Sequence, residues 1–205
     1  MLDGQMRRLI DPVVGRWAAR LVALGWTANG MTLLGLVLGL GAALMIAWGL
    51  PQLALLPLLA GRIADGLDGA IARATGKTDL GGFFDIVADF LFYGAVPFGF
   101  AWAAPGANAL AASFLLLTFY VNGASFLAYA VLAERRGMQT ASRGEKSLYF
   151  TSGLLEGTET IAFFVILCLW PQNFPQVAGI FALLCLFTTA ARVGLASRVF
   201  ATRGS

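Results

Sequence analysis

Four aspartates, Asp65, Asp68, Asp85 and Asp89, stand in a part of the chain where their neighbours are mostly apolar residues and glycine. Asp65 and Asp68 are spaced i and i+3, and Asp85 and Asp89 i and i+4, so on two helices each pair projects from one face. Two facing pairs make a cage of carboxylates. A lone carboxylate near the centre of a bilayer costs about 2.5 to 3.5 kcal/mol on insertion scales, and several at one depth also repel each other. Cations must offset them. Arg73 and Lys77 are too few for four aspartates, whereas hard divalent ions prefer oxygen ligands and bridge carboxylates to phosphates, which points to Mg2+ or Mn2+. Gly66, Gly69, Gly81 and Gly82 surround the cage and remove the bulk that would keep a diphosphate or a neighbouring helix away. The plainer reading is that the aspartates pair with Arg62, Arg73 and Lys77 to fix helix packing, or cap helix ends. Four on two consecutive helices exceed what capping requires.

The elements that position this cage are written in the composition. Of 205 residues, 59% are apolar and 12% charged, with a mean hydropathy of +0.78, which excludes the mixed charged surface of a soluble domain. The expected fold is all-α and integral to the membrane, a single domain over 1–205. Residues 5–24 alternate arginines with Leu9, Ile10, Val13, Val14, Trp17 and Leu21, the pattern of an amphipathic helix lying in the interface; 1–24 forms this helix and its connection. Six transmembrane helices follow over 31–199, at roughly 31–50, 52–73, 80–104, 108–133, 148–170 and 176–199. Trp48, Trp102 and Trp170 fall at the span ends where tryptophan anchors to the interface.

Charge supports that division. The connections near 49–52, 103–108 and 171–176 carry no charged residue, and all 14 Lys and Arg fall on the other side. The positive-inside rule then puts both termini, the 74–79 connection and the 134–146 loop in the cytoplasm, with the aspartates at that face of the inner membrane. Pro51, Pro105, Pro171 and Pro175 sit at the uncharged turns. The formal charge of +3 is accounted for by topology, so no nucleic acid partner is expected. Cys168 and Cys185 lie in apolar runs without metal-ligand spacing and are expected as small buried hydrophobes. No cleavable leader is expected, because Arg7, Arg8, Arg16 and Arg20 interrupt the N-terminal apolar residues.

The run Asp65-Gly66-Leu67-Asp68-Gly69-Ala70-Ile71-Ala72-Arg73, followed by Gly81, Asp85 and Asp89, resembles the signature of the CDP-alcohol phosphotransferase family, D-x-x-D-G-x-x-A-R then G-x-x-x-D-x-x-x-D. Every fixed position is met, with 7 residues between Arg73 and Gly81, one fewer than the commoner spacing. The stretches Glu145-Lys146-Ser147 and Gly153-Leu154-Leu155-Glu156-Gly157 look like a bacterial inner-membrane branch of that family. The resemblance implies that Asp65, Asp68 and Asp85 hold two metal ions, and that Asp89 contributes to metal binding and takes the proton from an acceptor alcohol. The chemistry of the chain agrees, since with 0 histidines a hydroxyl nucleophile must be activated by a carboxylate, a metal or both. By the same likeness Arg73 grips a diphosphate, Gly69 and Gly81 permit close approach of a cytidine nucleotide, and Thr78 belongs to that loop. The segment Thr27-Ala28-Asn29-Gly30-Met31-Thr32 resembles another family segment, which makes Asn29 and Thr32 nucleotide contacts; for Asn29 a helix cap is an equal alternative.

The acceptor side is less legible. Arg135, Arg136, Arg143 and Lys146 form a basic loop that would suit a phosphorylated acceptor or anionic headgroups, though topology alone also asks for them. Glu156 and Glu159 form an acidic pair inside span five and need a polar cavity, an acceptor or a partner such as Arg192. The reaction that the resemblance implies is transfer of a substituted phosphate, foremost phosphatidyl from CDP-diacylglycerol, to a small hydroxylated acceptor with release of CMP. The inverted arrangement, a CDP-linked small alcohol with a lipid acceptor, stays open. A divalent-cation transporter is the alternative from another class, and a non-catalytic membrane scaffold a third. Gly35, Gly39 and Gly41 suit a homodimer, as the family implies, or packing within the chain.

Overall fold

The structure, a computed structural model, describes residues 2–138 and 157–201, with side chains from 13 onward. Seven α-helices make up these residues: α1 Leu2–Ala23, α2 Ala28–Ala47, α3 Pro51–Thr75, α4 Asp79–Ala103, α5 Pro105–Arg135, α6 Gly157–Leu169 and α7 Phe174–Ala201, the last preceded by a 3-10 turn at Pro171–Asn173. Local chemistry sets the boundaries. Thr27 accepts a hydrogen bond from the Gly30 N–H at 3.1 Å and opens α2, and Thr78 does the same for α4 through the Gly81 N–H at 3.1 Å. Pro51 and Pro105 occupy the first turns of α3 and α5, where a missing N–H costs nothing. The helix α3 stops at Gly76, whose φ of +107° is a conformation side chains rarely adopt.

Among the described residues four segments are long and apolar enough to cross a membrane: α2, α4, α5 and Pro171–Ala201. Of the other two expected spans, α3 is 25 residues long but carries Arg62, Asp65, Asp68 and Arg73, while α6 has 13 described residues. The chain is an all-helical membrane protein, and its charged helix packs against neighbours on two sides. On one side of α3, α2 crosses in backbone contact: a Cβ on Gly35 would lie 3.1 Å from the Gly61 carbonyl oxygen, and one on Gly61 3.0 Å from the Gly35 carbonyl oxygen. On another, Val14, Ala18, Leu21 and Val22 of α1 pack with Ala64, Ala70 and Ile71. The first helix therefore has a docked apolar face as well as exposed Val13 and Trp17, and Arg20 lies over the Trp17 ring at 5.2 Å.

The pairings Gly39 with Phe92 and Gly99 with Ala43 run parallel along α2 and α4, while α3 runs antiparallel to both. The C-terminal end of α3 consequently meets the N-terminal ends of α2 and α4. At that same end Arg136, closing α5, donates from Nη1 and Nη2 to the Val199 and Phe200 carbonyls of α7 at 2.9 and 2.7 Å. Further from it lies the main core, with Leu58, Phe92, Val96, Leu115, Phe164 and Phe174 fully buried. Phe163 stacks on Phe181 with ring centroids 3.9 Å apart, and Phe100 on Phe174 at 4.8 Å. Between helices already in lipid there is little hydrophobic drive, so such close contact and its dispersion energy hold the bundle. Cys168 and Cys185 are free thiols within this core. Gly35 and Gly39 are consumed by contacts within the chain, whereas a Cβ on Gly41 meets nothing within 4 Å.

Candidate active site

Where the three helix ends meet, oxygens of Asp65, Asp68 and Asp85 converge to within 4.8 Å of one another, the described residues' one grouping of this kind. The i, i+3 spacing on α3 and the antiparallel turn through Gly76, Lys77 and Thr78 bring them together. Asp68 is buried, and Thr32 on α2 donates its hydroxyl to Asp68 Oδ2 at 2.6 Å. That contact needs the close crossing of α2 and α3 allowed by Gly35 and Gly61. Asp89 has a different partner: its Oδ1 accepts from Arg62 Nη1 at 2.9 Å. The same nitrogen lies 3.4 Å from Asp65 Oδ1, and the Arg62 guanidinium sits 4.1 Å from the centroid of the Phe92 ring. The carboxylates thus divide into a trio and a fourth aspartate tied to an arginine.

The donor set fits a hard cation. All three groups offer carboxylate oxygen, with no nitrogen or sulfur among them. Ligands on opposite sides of one Mg2+ stand about 4.2 Å apart, so the trio, reaching 4.8 Å, needs only a small closure around one ion or suits ions that share carboxylates. Helix packing by ion pairs accounts for part of the charge, through Arg62, but Arg73 goes elsewhere. It lies back along its own helix, where a Cβ on Gly69 would come 3.4 Å from its Nη1.

The expected nucleotide residues gather beside the trio. A Cβ on Gly81 would stand 2.9 Å from Thr78 Oγ1 and 3.1 Å from Asn29 Oδ1, so Asn29, Thr78 and Gly81 form one cluster between the starts of α2 and α4. The cap of α2 is Thr27, which leaves the Asn29 side chain for that cluster. Thr32, expected at the nucleotide, is buried and directed at Asp68. Sequence reasoning had no signal for this contact, since a threonine one turn into an apolar helix looks like packing until the partner helix is placed. It had a partial signal for Arg62, three residues before Asp65 and alone in an apolar run.

On the acceptor side, Arg143, Lys146 and Glu156 lie outside the described residues, and Glu159 is in the first turn of α6. Arg192 Nη1 donates to Asn122 O at 3.0 Å, Asn122 Oδ1 at 2.8 Å and Ser125 Oγ at 2.7 Å, joining α7 to α5. A cavity of about 390 Å³ lined by Leu40, Leu44, Trp48, Phe98 and Trp102 opens between the far ends of α2 and α4. It is apolar and remote from the aspartates, so the chemistry lies with the trio.

Comparison with known proteins bears on both fold and motif. The E. coli K12 inner membrane protein YnjF is 46% identical over 193 residues, 94% of each chain. The archaetidylinositol phosphate synthase of Pyrococcus horikoshii is 36% identical over 98 residues, 47% of this chain and 52% of that one. In fold, the chain is similar to the phosphatidylinositol phosphate synthase PgsA1 of Mycobacterium tuberculosis. With its structure with CDP-DAG bound the TM-score is 0.70 at 21% identity, covering 91% of this chain and 94% of that one. With its complex with manganese and citrate the score is 0.67 at 22% identity, covering 88% and 87%. The family model for CDP-alcohol phosphatidyltransferases matches residues 26–197, a span that holds the aspartate trio, Arg62, α2 to α6 and most of α7, and the chain is therefore a member of the CDP-alcohol phosphatidyltransferase family.

Proposed function

We propose that this enzyme transfers a phosphatidyl group from CDP-diacylglycerol to a small hydroxylated acceptor, releasing CMP, as a step of phospholipid biosynthesis at the cytoplasmic face of the inner membrane. The observation that carries the reading is the convergence of Asp65, Asp68 and Asp85 to within 4.8 Å at one end of a membrane bundle of this family. Asp65, Asp68 and Asp85, with a contribution from Asp89, would hold Mg2+ or Mn2+, two ions per site, which when bound supply positive charge to the donor's diphosphate. Asn29, Thr78, Gly69 and Gly81 would receive the cytidine nucleotide and Arg73 its diphosphate. The acceptor oxygen bonds to the phosphorus that carries the lipid, the bond from that phosphorus to the bridging oxygen breaks, and CMP departs. The acceptor's proton passes to Asp89, whose Oδ1 is engaged by Arg62 and whose Oδ2 is left for it. Lys146, Arg143, Glu156 and Glu159 are proposed for the acceptor side.

The basic residues favour a cytoplasmic site, and α1 and the C-terminal end of α7 both reach the aspartate end of the bundle. A cation transporter would distribute acidic groups along a path across the bilayer, whereas these crowd one end. The resemblance also carries the expectation of a homodimer, which light scattering on protein in lipid discs would read as twice the chain mass.

The test is CMP release by purified protein in CDP-diacylglycerol micelles with Mg2+ or Mn2+. Glycerol phosphate, inositol phosphate, serine, inositol and choline are offered in turn, beside Asp89→Asn and a chelator control. Acceptor-dependent release that disappears on chelation and in folded Asp89→Asn is expected, and the active acceptor names the headgroup. Should no acceptor work and no metal-dependent CDP-lipid binding be found, the proposal fails. Release only with a CDP-linked small alcohol and diacylglycerol would invert donor and acceptor.

A further inference from the structure

Arg62 lies in a helix whose preceding turns, from Pro51 to Gly61, contain no charge, and its side chain is 13% exposed. Its Nε is buried without a hydrogen-bond partner, while Nη1 is shared by Asp89 and Asp65. An arginine in such a setting is held by its surroundings. The Phe92 ring beneath the guanidinium is fully buried and has Phe164 at its edge, with centroids 5.6 Å apart. On its other side is the notch left by Gly39, where a Cβ would fall 2.6 Å from Phe92 Cδ2. Phe92 also stands three residues after Asp89, on the same face of α4. A core ring thus fixes the arginine, and the arginine fixes the aspartate. The bidentate donors and flat face of guanidinium allow both contacts at once, which a lysine ammonium would not reproduce.

We propose that Arg62 is a positioning residue: seated on Phe92, it holds Asp89 in the pose from which it receives the acceptor's proton. The inference rests on the transferase reading above and adds a consequence that reading lacks. Removing the arginine takes positive charge away from the carboxylate cluster and releases Asp89 from that pose, so cation binding tightens while turnover falls. A purely structural role would weaken both together.

The experiment compares wild type, Arg62→Met and Arg62→Lys, each checked for a monodisperse folded state in detergent, by Mn2+ calorimetry and by CMP release. For Arg62→Met, Mn2+ binding about tenfold tighter and a kcat lower by about a hundredfold are expected, with the donor KM within about threefold. For Arg62→Lys, which keeps the charge, Mn2+ affinity stays within about twofold and kcat falls about tenfold. Weaker Mn2+ binding together with lost turnover would make Arg62 structural and overturn the proposal. So would a tenfold rise in donor KM at unchanged kcat, which would put Arg62 on the donor phosphate. If Arg62→Met does not fold, Arg62→Lys decides, and wild-type turnover in that variant sinks the idea. The Mn2+ measurement needs no turnover, so an inactive wild type would count against the transferase reading, and unchanged Mn2+ affinity in Arg62→Met against this one.

Discussion

Two arginines lie inside apolar helices of this protein, and they are bonded in opposite ways. Arg192 of α7 reaches α5 and finds neutral acceptors, a carbonyl, an amide oxygen and a hydroxyl, within 3.0 Å. Arg62 of α3 reaches α4 and finds carboxylates at 2.9 and 3.4 Å. Each guanidinium has an aromatic neighbour, Phe126 at 5.7 Å for Arg192 and Phe92 at 4.1 Å for Arg62. The difference lies in what remains after pairing. Around Arg192 the polar groups satisfy one another, and the result is a strut between two helices. Around Arg62 one positive charge is shared by Asp89 and Asp65, and Asp68 and Asp85 gather beside them, with the Thr32 hydroxyl on Asp68. Surplus charge of one sign inside a membrane bundle has no structural use, and it distinguishes a site from a strut.

If that contrast is right, the largest effect belongs to the trio. Asp68→Asn should lower CMP release by about a thousandfold and weaken Mn2+ binding while the protein still folds, because an amide keeps the shape and loses the charge. Full Mn2+ binding by Asp68→Asn in calorimetry would show that the trio is not the cation site. Thr32→Val, which removes the donor to Asp68 but keeps the volume, should cost about tenfold in kcat. A pair of glycines then tests whether the core feeds into the site. A Cβ on Gly39 would press on Phe92 and one on Gly99 on the Ala43 carbonyl oxygen, each at 2.6 Å. Both alanine variants should lose about 1 to 3 kcal/mol of stability by crowding, read from thermal unfolding in detergent. Only Gly39→Ala, which disturbs the ring under Arg62, should also lose about fivefold in kcat. Equal kcat in the two would disconnect Phe92 from Asp89.

Much of this was legible beforehand. Four carboxylates at helical spacing in apolar sequence announce both the site and the charge that must answer it, and uncharged turns against basic ones divide the chain into its spans. Helix starts were legible wherever a threonine or proline sits before an apolar run, as at Thr27, Pro51 and Pro105. What was not legible came from helices crossing. Spacing along α3 and α4 treats Asp65, Asp68, Asp85 and Asp89 alike; the family likeness gives Asp89 its role, and the placement of Phe92 beneath Arg62 adds the arginine that pairs with it. The Thr32 contact depends on the backbone approach at Gly35 and Gly61, which sequence permits without specifying. The apolar content of α3 alone understates how it is accommodated, because Asp68 is buried against Thr32 of α2 and Arg62 is bonded to Asp89 of α4.

The smallest effect on chemistry is expected at the strut. Arg192→Met removes a charged donor from Asn122 and Ser125 and leaves their oxygens without it, a loss of about 1.5 to 3 kcal/mol for hydrogen bonds to a charged group. The unfolding temperature should fall, and the KM for the CDP-linked donor should hold in the protein that remains folded, because Arg192 bonds Asn122 and Ser125 and none of the aspartates. Asn122→Ala should reproduce much of that loss, and the double variant should cost little more than either alone, since both delete the same bonds. A rise of more than about tenfold in acceptor KM in folded Arg192→Met would give the strut a ligand. The contrast between the two arginines would then be one of which substrate each serves, with Arg62 holding the base and Arg192 the acceptor.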